Sequence, residues 1–398
     1  MSLRLELVPP AVDTASPHPR SGHKVVVDQG NLYALGGYNP DVVDSDLEDP
    51  REIEKRIFVQ MWRFNFFSRR WKELNMTGDF PRCLASHTAT LHGHTLLTFG
   101  GSGIPFGIVS SCDVHKCHVD PNSDTVKWTR LEVTGDVPES KYGHCQLLLG
   151  KHFYLVGGTT GFIYNTDVHR LDLETGTWQC IFDSPRGEDN VNEDEQDIHN
   201  PIGRYRHEVA FHNNKILMIG GGQASRAFSL EKIPCFNLEL SQWEQLQTSP
   251  AVFDREQKVP VTGIPPARRC HSCVKFKNNV FVYGGRNVEE VLGDLWRLHL
   301  DTLQWTCIVF AHASPLKCFF HAADVTESGC MYILGGVTND NEEVRTNAVH
   351  RVWLVVPVLQ ELAWSVISQR LHHDRSSDLP CRLLHAGVPR EFTQRLTS

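Results

Sequence analysis

Basic side chains gather at one recurrent place in this chain. Arg20, Arg82, Lys141, Arg204, Arg206, Arg268 and Arg269 lie just before, or at the start of, apolar segments that open with a histidine. Arg206 immediately precedes His207, and Arg269 lies two residues before His271. Two guanidinium groups facing one carboxylate make fork-like, charge-assisted hydrogen bonds, so the chemistry such a pattern supports is capture of an anionic group. Arg206 and Arg269 are the expected carboxylate-binding pair, with Arg226 and Ser225 as further contributors after the glycines that follow. Lys141, Arg204, Arg268 and Arg286 would stand at the rim, with Tyr142, Phe162, Tyr164 and Phe106 as an apolar wall that excludes water. The competing reading is that some of these cations cover segment ends and hydrogen-bond loop carbonyls.

Bond-making chemistry has no comparable constellation. His144 and His271 recur in register, which favours buried, hydrogen-bonded residues over general bases. Cys270-His-Ser-Cys273 has the spacing of a thiol pair, but inside a strand its two ends project in opposite directions. Cys112 and Cys117 lie near His115 and His118 without a second pair at zinc spacing. There is no phosphate loop and no serine elbow. No catalytic residue, metal or cofactor is expected.

The positioning elements are repeats. Gly36-Gly37, Gly100-Gly101, Gly157-Gly158, Gly220-Gly221, Gly284-Gly285 and Gly335-Gly336 are six glycine pairs 51 to 64 residues apart, each preceded by a short apolar segment. His23, His87, His144, His207 and His271 stand 13 residues before the first glycine of their pair, and His321 stands 14 before Gly335. Trp71, Trp128, Trp178, Trp243 and Trp305 follow the pairs and open a last strand. Trp353 is not equivalent, because it stands where copy three has Asp172. Each copy reads as strand, hairpin, strand, glycine pair, strand, turn, strand, and one such sheet cannot bury both faces alone. Residues 1–356 are therefore expected to form an all-β, six-bladed propeller, with Leu3 to Leu7 supplying the missing strand of the last blade and removing its open edges.

Composition agrees with one such domain plus a tail. The 398 residues carry 39 basic and 47 acidic side chains, a formal charge of −8, which gives no general reason to expect nucleic acid. Twelve cysteines without a leader read as reduced thiols, placing the chain in the cytoplasm or nucleus, and no segment reaches membrane-spanning length. Acidic tracts in residues 38–60 and from Glu188 to Asp197, and a proline-bearing connection from Thr248 to Pro266, read as surface loops. From Pro357 the apolar period changes to that of a helix: Leu359, Leu362, Ala363, Val366, Ile367 and Leu371, then Asp378-Leu-Pro380 opening a second helix with Leu379, Leu383 and Leu384. That tail, residues 357–398, either packs beneath the propeller or offers an apolar stripe to a partner.

The repeat resembles the kelch motif over residues 1 to about 355. Tyr38-Asn-Pro-Asp41, Gly103-Ile-Pro-Phe-Gly107, Gly158-Thr-Thr-Gly161, Arg204-Tyr-Arg-His-Glu208, Ala267-Arg-Arg-Cys-His-Ser-Cys-Val274 and Trp353-Leu-Val-Val-Pro357 carry a narrower likeness to kelch substrate receptors of cullin-2 RING ubiquitin ligases. The resemblance implies a non-catalytic subunit that binds proteins ending in glycine, with Arg206, Arg226, Arg269 and Ser225 holding the terminal carboxylate. It implies Leu359, Ala363 and Ile367 as contacts for elongin C, itself joined to elongin B, and Leu379, Pro380 and Leu383 as contacts for cullin-2, which brings the RING subunit. Ala363 stands where many members have cysteine, and Val358 departs from the usual small residue or proline. Such kelch proteins have also been linked to stress-kinase signalling through a protein phosphatase, which leaves a regulatory scaffold as the alternative function.

Overall fold

The computed structural model describes residues 3–12, 14–42, 53–185, 197–251, 263–311, 316–338, 344–371, 374, 376 and 378–396. The acidic residues between Asp44 and Glu52, those from Glu188 to Glu195, Pro260, and much of the connector after Leu371 lie outside the described residues.

Each glycine pair lies at the end of the second strand of a four-stranded antiparallel meander, just past it in five units and inside its last residues in the third. In the third unit the strands are Cys145–Leu149, His152–Thr159, Tyr164–Asp172 and Thr177–Phe182. The first two pair from Cys145 opposite Val156 to Leu149 opposite His152, leaving a two-residue turn at Gly150-Lys151. In the last unit Ala322 pairs with Leu334 and Val325 with Met331, so the extra residue of the His321 spacing is absorbed in the hairpin turn. Its third strand, Val349–Trp353, accepts Leu5–Leu7 as an antiparallel neighbour, with Leu5 opposite Val352. Arg351 reinforces that junction through an ion pair with Glu6 at 3.0 Å.

Among the described residues, hydrogen bonding groups the strands into five sheets, one of them eight-stranded. The large sheet is two meanders, the first and second units, joined where residues 75–78 run parallel to residues 125–128. Residues 134–135 similarly pair with residues 177–178 of the third unit. These crossings cover outer edges that would otherwise be open. The apolar cores lie between units. Leu97, Phe99 and Val114 of the second unit pack with Phe153, Leu155, Leu171 and Trp178 of the third, and equivalent clusters join each further neighbouring pair, the last one packing Tyr332 and Leu334 against Leu32, Phe64 and Trp71 of the first unit. The five tryptophans named above are all buried in these cores. Removing one such ring from a packed interior costs about 3–5 kcal/mol.

The spacing of histidine and glycines has a steric cause. A Cβ on Gly157 would lie 2.9 Å from Cε1 of His207 in the next unit, and one on Gly158 would lie 2.7 Å from Cβ of its own His144. The same pair of contacts recurs around the ring, ending with Gly335 against His23 of the first unit. Glycine is needed here because histidines fill the space on both sides.

The tail forms α1 (Leu359–Leu371), α2 (Leu379–His385) and α3 (Arg390–Thr393). Trp364 stacks on Phe67 of the first unit at 5.8 Å and meets Phe392 at 5.5 Å. Asn65 Nδ2 donates to the Arg395 carbonyl at 3.2 Å, and Arg395 grips Glu361 through two bonds of 2.8 and 2.9 Å.

Candidate functional site at the propeller mouth

The residue before each recurrent histidine is the key to the mouth. Gly22, Ser86, Gly143, Arg206, Cys270 and Phe320 all adopt left-handed backbone, with φ of 65°, 62°, 62°, 55°, 57° and 55°. Each donates its N–H to the carbonyl of the equivalent residue in the preceding unit, at 2.7 to 3.1 Å, and Gly22 closes the circle on Phe320. Six backbone hydrogen bonds thus encircle the axis, one per unit.

Four of these residues have side chains, and Arg206 is the longest. It reaches from the fourth unit to donate Nη2 to Ser86 Oγ of the second, and its guanidinium lies 4.5 Å over the ring of Phe320 of the sixth. Its Nε is buried without a hydrogen-bond partner. Above it opens a cavity of about 250 Å³ lined by Ser21, Gly22, Tyr38, Ala85, Ser86, Phe106, Tyr142, Tyr205, Arg206, Phe319, Phe320, Val337 and Arg345. None of those residues is acidic. Arg345, on the sixth unit, donates Nε to Ser21 Oγ at 3.1 Å, lies 5.4 Å over the Tyr38 ring, and approaches Asp41 at 4.0 Å. Burial pushes the Tyr205 hydroxyl up to about 12, with Tyr142 also raised, so both stay protonated donors. Two arginines and three phenols around a largely apolar floor can receive a small anionic group on an otherwise uncharged ligand.

Below Arg206 the axis narrows to a space of about 20 Å³ among the histidines. Lys24 of the first unit and Glu208 of the fourth meet across it at 3.2 Å. Burial lowers all six histidines: His87, His207 and His321 fall to about 3, and His23, His144 and His271 lie well below the usual imidazole value. Their bonds are structural, as with His207 Nε2 to the Val156 carbonyl at 3.2 Å and His144 Nε2 to Thr88 Oγ1 at 3.0 Å. They are neutral struts between units.

The basic residues singled out by sequence separate sharply. Arg204 and Arg268 are not at the rim: both are buried, and each donates to the carbonyl of its own unit's first glycine, Gly220 at 3.2 Å and Gly284 at 3.0 Å. Arg268 also makes a two-pronged pair with Asp294, both bonds 2.8 Å. Lys141 is buried beside Asp167 at 3.6 Å, its ammonium lowered by burial. Charges held in this way complete the blade interior and are not available to a ligand. Arg269 is set back from the cavity, donating to the Gln223 carbonyl and, at 3.3 Å, to the Tyr205 hydroxyl. Arg226 folds onto Gln223 Oε1 at 3.0 Å and over Phe228, and Ser225 is exposed at the tip of a turn closed by Gln223 N–H to the Arg226 carbonyl. That tight turn keeps residues 225 and 226 out of the cavity. Arg286 lies over Phe319, 5.1 Å from its ring. Phe106 and Tyr142 do line the cavity; Tyr164 packs against Tyr205 at 5.2 Å, and Phe162 is 77% exposed outside.

The structure brings in residues that sequence reading passed over: Arg345, Tyr38, Tyr205, Ser86 and Phe320. For Ser86 and Phe320 a signal existed, since both hold the place before the recurrent histidine that Arg206 holds. Arg345 had none, because it follows its glycine pair at no repeated offset.

On the tail, Leu359, Leu362, Ala363 and Val366 form one exposed face of α1, with Leu359 81% exposed. Ile367 faces the other way, half-buried against the cluster of Trp364, Leu379, Leu383 and Phe392. Leu379 and Leu383 are buried in that cluster, and Pro380 occupies the first turn of α2 half-buried. The helix thus packs with one apolar face and leaves another exposed. Among the described residues no helix is long and apolar enough to cross a membrane, and no group of three or more histidine, cysteine or acidic side chains is placed to hold a metal ion.

The sequence matches the KLHDC2/KLHL20/DRC7 Kelch-repeats domain family over residues 3–190 and the Kelch motif over residues 267–309. It is 42% identical over 380 residues to Kelch domain-containing protein 10 of Rattus norvegicus, spanning 96% of this chain and 86% of the rat protein. The Homo sapiens protein of that name is 41% identical over 380 residues, spanning 96% of this chain and 80% of the human one. Kelch domain-containing protein 2 of Bos taurus is 25% identical over 370 residues, spanning 85% of this chain and 81% of the bovine protein. With its circle of stacked meanders, the chain belongs to the kelch-repeat family of protein-interaction propellers, among the relatives of Kelch domain-containing protein 10.

Proposed function

We propose that this kelch propeller is the substrate receptor of a cullin-2 RING ubiquitin ligase, holding the free C-terminus of another protein, ending in glycine, in the mouth of the ring. The observation that carries the reading is Arg206, a cation laid across the axis with a buried Nε that has no partner, beneath a cavity without acidic lining. A carboxylate arriving there gains charge-assisted bonds from Arg206 and a second cation in Arg345 opposite. Glycine suits the end position because Phe319, Phe320 and the backbone circle crowd the floor. The propeller makes no bonds itself. It holds one end of the substrate while the exposed face of α1, through Leu359, Leu362 and Ala363, docks on elongin C with its elongin B partner. Leu379 and Leu383 shape the cullin-2 surface from behind, with Pro380 at its edge. The setting is cytoplasmic or nuclear.

The test is binding of a fluorescent peptide ending in glycine, against the same peptide amidated. Stranding the guanidinium without its counter-charge should weaken the amide by about 1.5–3 kcal/mol, roughly tenfold to a hundredfold. Equal binding of the two peptides rules the reading out.

A further inference from the structure

Two loops beside the cavity have no assigned role. Residues 103–110 follow the glycine pair of the second unit and residues 160–164 that of the third. Both are tied by their own hydrogen bonds. Ser102 Oγ donates toward the carbonyls of Gly103 and Val109, each at 3.0 Å. Thr159 Oγ1 donates to the Ile163 carbonyl at 2.8 Å and accepts the Gly161 N–H at 2.9 Å. The loops cross at two glycines: a Cβ on Gly161 would lie 2.4 Å from Gly107 Cα. With only backbone at the crossing, their apolar side chains turn outward. Ile108 is 71% and Phe162 77% exposed, with Val109 and Ile163 about 40% exposed beside them. Neither loop carries a charge.

An uncharged, hydrogen-bonded loop pair that exposes this many large apolar side chains marks a contact surface. Phe106 belongs to it and to the cavity wall at once, edging onto Tyr38 at 5.1 Å, so the surface continues the cavity outward. A chain end gripped at Arg206 can leave only through the mouth, since the Lys24–Glu208 pair and the histidines close the axis below. In the described stretches that follow the glycine pairs of the other units, exposed large apolar residues stand singly, Val288 beside Glu289 and Glu290, and Val344 beside Arg345.

The geometry points to this rim as the docking surface for the segment just upstream of the captured terminus, selecting apolar side chains there. The inference rests on the carboxylate reading of the cavity, and its test separates the two. A set of glycine-serine peptides ending in glycine is made with leucine and phenylalanine, or serine only, at the third to sixth positions from the end. Each is prepared as free acid and amide, and binding is measured to the full chain and to the Ile108→Ser/Phe162→Ser double variant, whose exposed sites leave folding intact. The apolar free acid should bind about tenfold tighter than its serine counterpart, insensitively to salt, and the double variant should erase that ratio while keeping the acid-over-amide ratio. If acids outbind amides but the upstream ratio is absent, or survives in the double variant, the rim inference falls and the cavity reading stands. If amides bind as well as acids, or no peptide binds, the cavity reading falls and takes the chain-end occupant with it.

Discussion

Replacing Arg206 with glycine should separate binding from stability. At φ 55° the arginine occupies backbone that Gly22 and Gly143 hold in the first and third units, so glycine fits the circle. Relief of left-handed strain is worth about 1 kcal/mol. Against it stand the hydrogen bond from the charged guanidinium to Ser86 Oγ, about 1.5–3 kcal/mol, and the contact with Phe320, about 0.5–1 kcal/mol. The net change in folding stability is therefore a loss of about 1–3 kcal/mol, which leaves the ring folded. Binding should respond differently, because the carboxylate loses a charge-assisted partner worth about 1.5–3 kcal/mol, or roughly tenfold to a hundredfold in Kd. Fluorescence polarisation with acid and amide forms of one glycine-ending peptide reads the second quantity, and thermal unfolding reads the first. The variant should keep its Tm within a few degrees and lose most of its preference for the free acid, what remains coming from Arg345. An undiminished preference for the free acid would refute the role assigned to Arg206.

Other consequences are independent of the ligand. Gly220→Ala places a methyl 2.8 Å from His271 Cε1 and 2.7 Å from the Arg268 carbonyl at φ 60°, and urea unfolding should show a loss of about 2–4 kcal/mol; a loss below 0.5 kcal/mol would mean the histidine–glycine packing is not what fixes the repeat. Acid should destabilise the ring early: with His87, His207 and His321 lowered to about 3 and the other three held well below an unfolded value near 6.5, the unfolded chain binds more protons, and stability should fall below pH 6.5 by up to about 1.4 kcal/mol per pH unit for each histidine. Asp324, raised to about 6 by burial, acts in the opposite sense as one group against six. A Tm unchanged between pH 7 and 5 would contradict neutral buried histidines. Leu359→Asp, at a site 81% exposed, should leave Tm unchanged but abolish co-purification with elongin C; persistent co-purification would move that contact off the exposed face of α1.

The sequence and the structure divide the explanation along a physical line. Strand count, the hairpin lengths implied by the histidine spacing, the closing strand at Leu5–Leu7 and the buried tryptophans were legible because each is written in a pattern that repeats from unit to unit, so that a gap in one copy or a large apolar side chain at a fixed place stands out. The reason for the glycines was only half legible, since the atoms that exclude a side chain belong to the neighbouring unit's histidine. Arg204 and Arg206 show the limit most plainly. They are two residues apart, yet one is spent on the Gly220 carbonyl inside its blade and the other crosses the axis to Ser86. What decided this is the left-handed turn at residue 206 and the closure of the ring, which alone brings Ser86, Phe320, Arg206 and Arg345 to one cavity. Repetition in a chain specifies its units; which side chains share the central opening is set by the angle at which the units meet, and only the assembled ring contains that information.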